Sequence, residues 1–211
     1  MINVTALTLG PIAVNCYVVT DKDTGRIAVI DPGSFEPILD ETLSEAGFDK
    51  IDYVLLTHGH YDHIGGVNQV VEKTGGKAKV AIYKTEAPFL SDGNLNLSSR
   101  HFANPYPPIR SDILLSDGDK IELGSSVFTV LHTPGHTSGS ICFICENSLF
   151  TGDTLFFNSV GRTDFPTSNF DHLMGSVRRI AALQGDYIVF PGHNSASTLD
   201  YERKHNPFMR N

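Results

Sequence analysis

Polar and apolar residues alternate over 2–9, and apolar runs follow at 15–20 and 26–30, divided by Gly10-Pro11 and by Asp23-Thr24-Gly25. A period of two marks strands, and the Gly, Pro and Asp residues mark turns between them, so the chain opens as β structure. The period then changes. Over 36–47 the apolar residues Ile38, Leu39, Leu43 and Ala46 recur at helical spacing, with Pro37 in the first turn and Gly47 after the last. Residues 53–57 form a short continuous apolar run, the pattern of a strand covered on both faces. A second helix is predicted at about 66–73 and a strand near 79–83. From 88 to 112 Pro, Asn and Ser are frequent and no period holds, which predicts a long loop or helical excursion.

A second block repeats this order. Strands are predicted at 120–123, 127–133, 140–145 and 148–151. The best-defined helix covers 169–183, with Phe170, Leu173, Met174, Val177, Ile180 and Ala181 as its apolar stripe and Ser168 with Asp171 as a box-like start. A last strand at 187–190 and a last helix at 198–206, stopped by Pro207, complete the chain. No linker divides the two blocks. They predict one domain over 1–211, α/β (α+β) in class, in which two sheets pack together with helices outside: a four-layer αβ/βα sandwich.

Composition narrows the function. Hydrophobic residues make up 40% and charged residues 19%, which predicts an ordinary packed core rather than disorder. The net charge is −8, and no Lys/Arg run exceeds the pairs Arg178-Arg179 and Arg203-Lys204, so the basic footprint of a nucleic-acid binder is absent. No stretch reaches the length of a membrane span. Residues 1–16 have neither the basic nor the continuous apolar region of a signal peptide, and a cytoplasmic location is expected. Three cysteines give no disulfide framework. Cys142 and Cys145 are spaced like a metal knuckle, but in a strand residues three apart point to opposite faces, so both are read as small core residues.

The nine histidines are unevenly placed, and they carry the chemistry. Thr57-His58-Gly59-His60-Tyr61-Asp62-His63 sets three imidazoles and a carboxylate directly after the buried strand, where open α/β sheets present their functional groups. Crowded imidazoles repel when protonated and lack hydrogen-bond partners when buried and neutral. A metal ion accepting their lone pairs removes both costs. Three further strand ends deliver His136, Asp153 and His193, each after a glycine, as is His60; glycine lets the backbone turn sharply beside a crowded site. His132, by its strand position, reads as a packing residue or as a partner behind the ligands rather than a ligand, and His101, His172 and His205 as surface residues.

His58-Gly59-His60-Tyr61-Asp62-His63, with His136, Asp153 and His193 downstream, resembles the H-x-H-x-D-H…H…D…H signature of the metallo-β-lactamase superfamily, over nearly the whole chain. Asp31-Pro32-Gly33 resembles the family's early acidic turn. Gly161-Arg162-Thr163-Asp164-Phe165-Pro166 and the ending Glu202…Asn206-Pro207 are similar to its short, glyoxalase II-like (hydroxyacylglutathione hydrolase-like) branch. The resemblance implies the metallo-β-lactamase fold and two divalent metal ions, zinc first, with iron or manganese accepting similar ligands. By position it implies His58, His60 and His136 around the first metal, Asp62, His63 and His193 around the second, and Asp153 between them. Asp62 is then the catalytic residue, orienting a metal-bridging hydroxide for attack on an acyl carbon. The implied reaction is hydrolysis of a small-molecule thioester, a hydroxyacyl-thiol. A mononuclear-iron persulfide dioxygenase on the same scaffold is the alternative, and β-lactam hydrolysis is disfavoured by the missing export signal. Asp31 is a candidate hydrogen-bond partner for a ligand imidazole, and Arg162 a candidate substrate clamp for an anion. After His193, Asn194-Ser195-Ala196 stands where glyoxalase II enzymes place an acidic residue and a tyrosine that contacts glutathione, and the chain ends without their C-terminal helical domain. The thiol is therefore left open.

Overall fold

The structure, a computed structural model, describes residues 1–103 and 106–210. Two six-stranded sheets face each other. The first runs in sequence order, β1 (Ile2–Leu9), β2 (Val14–Asp21), β3 (Ile27–Ile30), β4 (Ile51–Leu55), β5 (Lys79–Tyr83) and β6 (Ile113–Leu115). Its first three strands form an antiparallel meander and the rest run parallel to β3. Parallel neighbours need crossovers, supplied by α1 (Pro37–Ala46) between β3 and β4, and by α2 (Tyr61–Ile64) and α3 (Val67–Lys73) between β4 and β5. A 3₁₀ segment, Lys84–Leu90, and α4 (Ser98–His101) lead to β6.

The second sheet contains β7 (Lys120–Leu123), β8 (Ser126–His132), β9 (Ile141–Cys145) and β10 (Ser148–Gly152) as an antiparallel meander. A small hairpin of β11 (Leu155–Phe156) and β12 (Ser159–Val160) follows, then α5 (Phe170–Ala181), β13 (Ile188–Pro191) parallel to β10, β14 (Ser197–Thr198) and α6 (Leu199–His205).

Three apolar layers hold the stack. Tyr17, Val19, Ile30 and Leu55 of the first sheet meet Phe128, Val130, Phe143 and Phe150 of the second. On the outer face of the first sheet Val18, Val29, Val54 and Ile82 pack on Leu39 and Leu43 of α1 and on Val67 and Val70 of α3. On the outer face of the second, Leu131, Leu149 and Val189 pack on Ile180 of α5 and Leu199 of α6. This is the expected αβ/βα sandwich. Cys142 joins the outer layer and Cys145 the inner one, the opposite faces that strand geometry requires. No helix among the described residues is long and apolar enough to cross a membrane.

The predicted elements lie within a residue or two of those observed; one helix cap differs and several short elements are new. The cap of α5 is Asn169, whose side chain accepts from the His172 N–H at 2.9 Å; Ser168 instead donates to the His136 carbonyl at 2.6 Å. The 88–112 segment contains part of the 3₁₀ turn and α4, with residues 104 and 105 outside the described part. β6 and α2 were not foreseen: three and four residues are too few to show a period. The β11–β12 hairpin is shorter still, two residues on each strand.

Candidate metal centre and active site

The C-terminal ends of β4, β8, β10 and β13 converge at one edge of the sandwich, and each delivers part of a single cluster. Two residues past β4, Thr57 fastens the first ligand loop: its N–H and hydroxyl donate to the two Asp31 carboxylate oxygens at 2.8 and 2.6 Å. Its carbonyl accepts from the Ile141 N–H at 2.9 Å, which ties the two sheets together beside the site. The loop beyond β13 is held from β2, where the Asn15 N–H donates to the Gly192 carbonyl at 2.7 Å and the Tyr17 hydroxyl to the Pro191 carbonyl at 2.6 Å.

All seven sequence-predicted ligand residues meet here. His58 Nε2 lies 3.1 Å from His60 Nδ1, which lies 2.9 Å from His136 Nε2. His193 Nε2 is 3.2 Å from Asp62 Oδ2, and His63 Nε2 is 3.4 Å from the same oxygen. Asp153 stands between the two halves, with Oδ1 3.4 Å from His63 Nε2 and Oδ2 3.5 Å from His136 Nε2 and 3.8 Å from His193 Nε2. Three groups could each hold an ion, their ligand atoms within 4.8 Å of one another: His58, His60 and His136; His58, His63 and Asp153; and Asp62, His63 and His193.

The partners of the other ring nitrogens assign the tautomers. His136 Nδ1 donates to the Arg162 carbonyl at 2.8 Å, His193 Nδ1 to the Ala13 carbonyl at 3.3 Å, and His63 Nδ1 to Asp31 Oδ2 at 2.9 Å. The Thr57 hydroxyl, whose proton goes to Asp31, accepts from His58 Nδ1 at 3.2 Å. In the neutral ring each of these four histidines therefore aims an Nε2 lone pair into the cluster. His60 Nδ1 faces the Nε2 lone pairs of both His58 and His136 and can donate to only one of them, and His60 Nε2, His63 Nε2 and Asp153 Oδ1 are buried without a hydrogen-bond partner among the described residues. A cation accepting these lone pairs resolves both, so the donor set fits divalent metal ions.

The electrostatics differ across the cluster. Burial, reinforced by neighbouring imidazoles, holds His58 well below the usual histidine range and pushes His60 down to about 3. Burial also opposes charge on His63, but Asp62, Asp153 and Asp31 around it outweigh that and raise its pKa. His193 is raised in the same way, its hydrogen bond to Asp62 and the Asp153 charge overcoming burial. The carboxyl of Asp153 is buried, yet His63 and His136 hold it well below the usual carboxylate range.

Of the weaker sequence candidates, Asp31 is buried and its Oδ2 accepts from His63 Nδ1 at 2.9 Å. Arg162 reaches the rim of the pocket, but its Nε and Nη2 both donate to Asp164 at 2.6 Å and its guanidinium lies 4.2 Å over the Phe165 ring. His132 stacks on Tyr83 at 4.2 Å, a packing role. His172 and His205 are exposed; His101 is exposed too, yet it packs on Tyr61 at 4.6 Å and lines the pocket, which its sequence context did not signal.

Sequence reasoning missed Glu86. It is fully buried, three residues past β5, and accepts from the Gly59 N–H at 3.0 Å and the Gly139 N–H at 2.9 Å. The same carboxyl thus joins the loop carrying His58 and His60 to the loop after His136, and burial raises its pKa to about 7. The available signal was position: a lone carboxylate just past a buried strand at the same sheet edge.

A pocket of about 490 Å³ opens above the cluster, floored by His60, Asp62, His136, Asp153 and His193. A doubled αβ sandwich with histidines and aspartates gathered at one sheet edge, beneath an open pocket, defines a metallohydrolase. The chain belongs to the metallo-beta-lactamase superfamily, whose family model matches residues 9–193. It is 34% identical over 204 residues to "Hydroxyacylglutathione hydrolase GloC" of Haemophilus influenzae, with 92% of each chain covered. Among solved structures it is similar to "BLEG-1 B3 metallo-beta-lactamase", with a TM-score of 0.90, 35% identity and all of both chains covered. It is also similar to "TTHA1623 in a di-iron-bound form", with a TM-score of 0.84, 33% identity and 97% and 99% of the two chains covered.

Proposed function

We propose that this metal-dependent hydrolase cleaves a thioester, with two divalent cations held by His58, His60 and His136 on one side and Asp62, His63 and His193 on the other, and with Asp153 shared. The observation that carries the reading is the convergence of five imidazoles and two carboxylates in one cluster beneath the pocket, four of the rings with their tautomers assigned. Bound there, the cations supply a hydroxide near neutral pH and positive charge for a developing oxyanion. The protein's own groups do the rest. Asp31 and the Arg162 carbonyl fix the ring planes of His63 and His136, so the site is set before substrate arrives. Asp62, on the pocket floor, orients the attacking water. Asp153 keeps the two halves in register. A thiolate leaves without prior protonation, since thiols ionise near pH 8.5, so the floor needs no separate general acid. The relative named as a hydroxyacylglutathione hydrolase supports a thioester as the bond cut. Zinc suits the donor set, and the di-iron neighbour supports iron as an equal candidate.

The test is turnover of S-lactoyl thioesters, a β-lactam and a persulfide by metal-reconstituted protein, with His58→Ala as control. Thioester cleavage that needs metal and is lost in the control supports the reading. Cleavage of the lactam alone overturns it, as does oxygen uptake on the persulfide with one iron per chain.

A further inference from the structure

The pocket walls differ in chemistry from the floor. Ile12, Tyr61 and Leu97 from the first half of the chain line it together with Phe156, Val160 and Phe165 from the second. Two of these positions are costly. Ile12 is 46% exposed at the mouth, with apolar surface that nothing in the chain covers among the described residues. Leu97 is held at φ 68°, a left-handed backbone that a bulky side chain adopts only under constraint, and that backbone sets it in the wall.

Charge on the walls is sparse. Among the described lining residues Arg162 is the one permanent cation, and it is spoken for: Asp164 takes two of its N–H groups and Phe165 covers its face. A glutathione thioester brings two carboxylates and one ammonium. It would approach a chain of net charge −8 and set at least one carboxylate against carbon. An uncharged thiol chain meets no such cost and buries the part-exposed apolar surface of Ile12, Phe156, Val160 and Phe165.

We propose that the thiol half of the substrate is uncharged and carbon-rich, packing against Ile12, Phe156, Val160 and Phe165, and that the Arg162–Asp164 pair selects against anionic thiols such as glutathione. This rests on the thioester reading above. The bond chemistry is unchanged: water oxygen bonds to the acyl carbon, the C–S bond breaks with its electron pair on sulfur, and the proton released by water ends on the thiolate.

The probes are S-lactoylglutathione and the S-lactoyl ester of benzyl mercaptan, which share the acyl group and differ in the thiol. Metal-reconstituted wild type is expected to show kcat/KM at least tenfold higher for the benzyl ester. Asp164→Ala, which releases Arg162, is expected to shift the ratio toward the glutathione ester by about twofold to fivefold, the size of an exposed ion pair. Phe165→Ala is expected to shift it the same way by lowering the benzyl rate. A wild-type preference for the glutathione ester, or no preference, overturns the inference and leaves the thioester reading standing. A ratio unmoved by both substitutions also overturns it. If neither ester is cut while a lactam or persulfide is consumed, the thioester reading fails and takes this inference with it.

Discussion

Asp31 sits at φ 49°, a left-handed conformation rare outside glycine and tolerated best by Asn and Asp. The strain has a local use: in that conformation its two oxygens reach Thr57 and His63 together. Asp31→Asn puts an amide where an acceptor is needed, so the His63 ring loses its fixed tautomer. Metal affinity should fall roughly tenfold to a hundredfold, read by competition with a chromogenic chelator. Gly192 shows a different constraint. A Cβ there would crowd Asp153 Oδ1 and lie 2.8 Å from His63 Cε1, between two of the ligand side chains. Gly192→Ala is therefore expected to lower metal occupancy while leaving the far-ultraviolet circular dichroism of the fold unchanged; full occupancy would contradict it. Much of this scale was legible in the sequence. The seven ligand candidates, Asp31 and the glycines before four of the ligands could all be picked out, because metal chemistry restricts residue type. The reason for Gly192 could not, since it depends on a neighbour some forty residues away in the chain.

Among the elements, strand ends do the positioning, and the predicted strands were close to those observed because their faces are covered and their periods are clear. What escaped was short or non-periodic: α2, β6, the β11–β12 hairpin and the 3₁₀ turn carrying Glu86. In that turn no stripe announces burial, and a lone glutamate reads as surface. Its two hydrogen bonds connect loops whose contact is purely tertiary. Glu86→Ala leaves two buried N–H groups without acceptors, and the metal-free chain should lose about 1–3 kcal/mol of stability in urea unfolding. A loss indistinguishable from zero would show that the two loops hold together without it.

For the whole molecule, metal binding is coupled to protons, and the sign follows from the cluster. His58 and His60 are held below the ordinary value of 6.5, so at pH 7 both are neutral and bind without losing a proton. The Asp62, Asp153 and Asp31 carboxylates outweigh burial and raise the pKa of His63, so an entering cation competes with a proton held on that ring. Metal affinity should then rise with pH and fall on mild acidification. Calorimetry in two buffers of different ionisation enthalpy should show at least one proton released per chain. In the metal-free protein the raised His63 pKa contributes stability that is full below about 6.5 and lost as pH rises through the folded value. The layered architecture was readable from the sequence because two blocks repeat the same order of strands and helices; the apolar walls of the pocket were not, since they join residues from both blocks. The most direct test of the account is a crystal structure of the zinc-reconstituted protein with anomalous scattering. Two peaks are predicted, one within the His58, His60 and His136 group and one within the Asp62, His63 and His193 group, with Asp153 touching both. A lone peak, or a cluster without metal under saturating zinc, would contradict it.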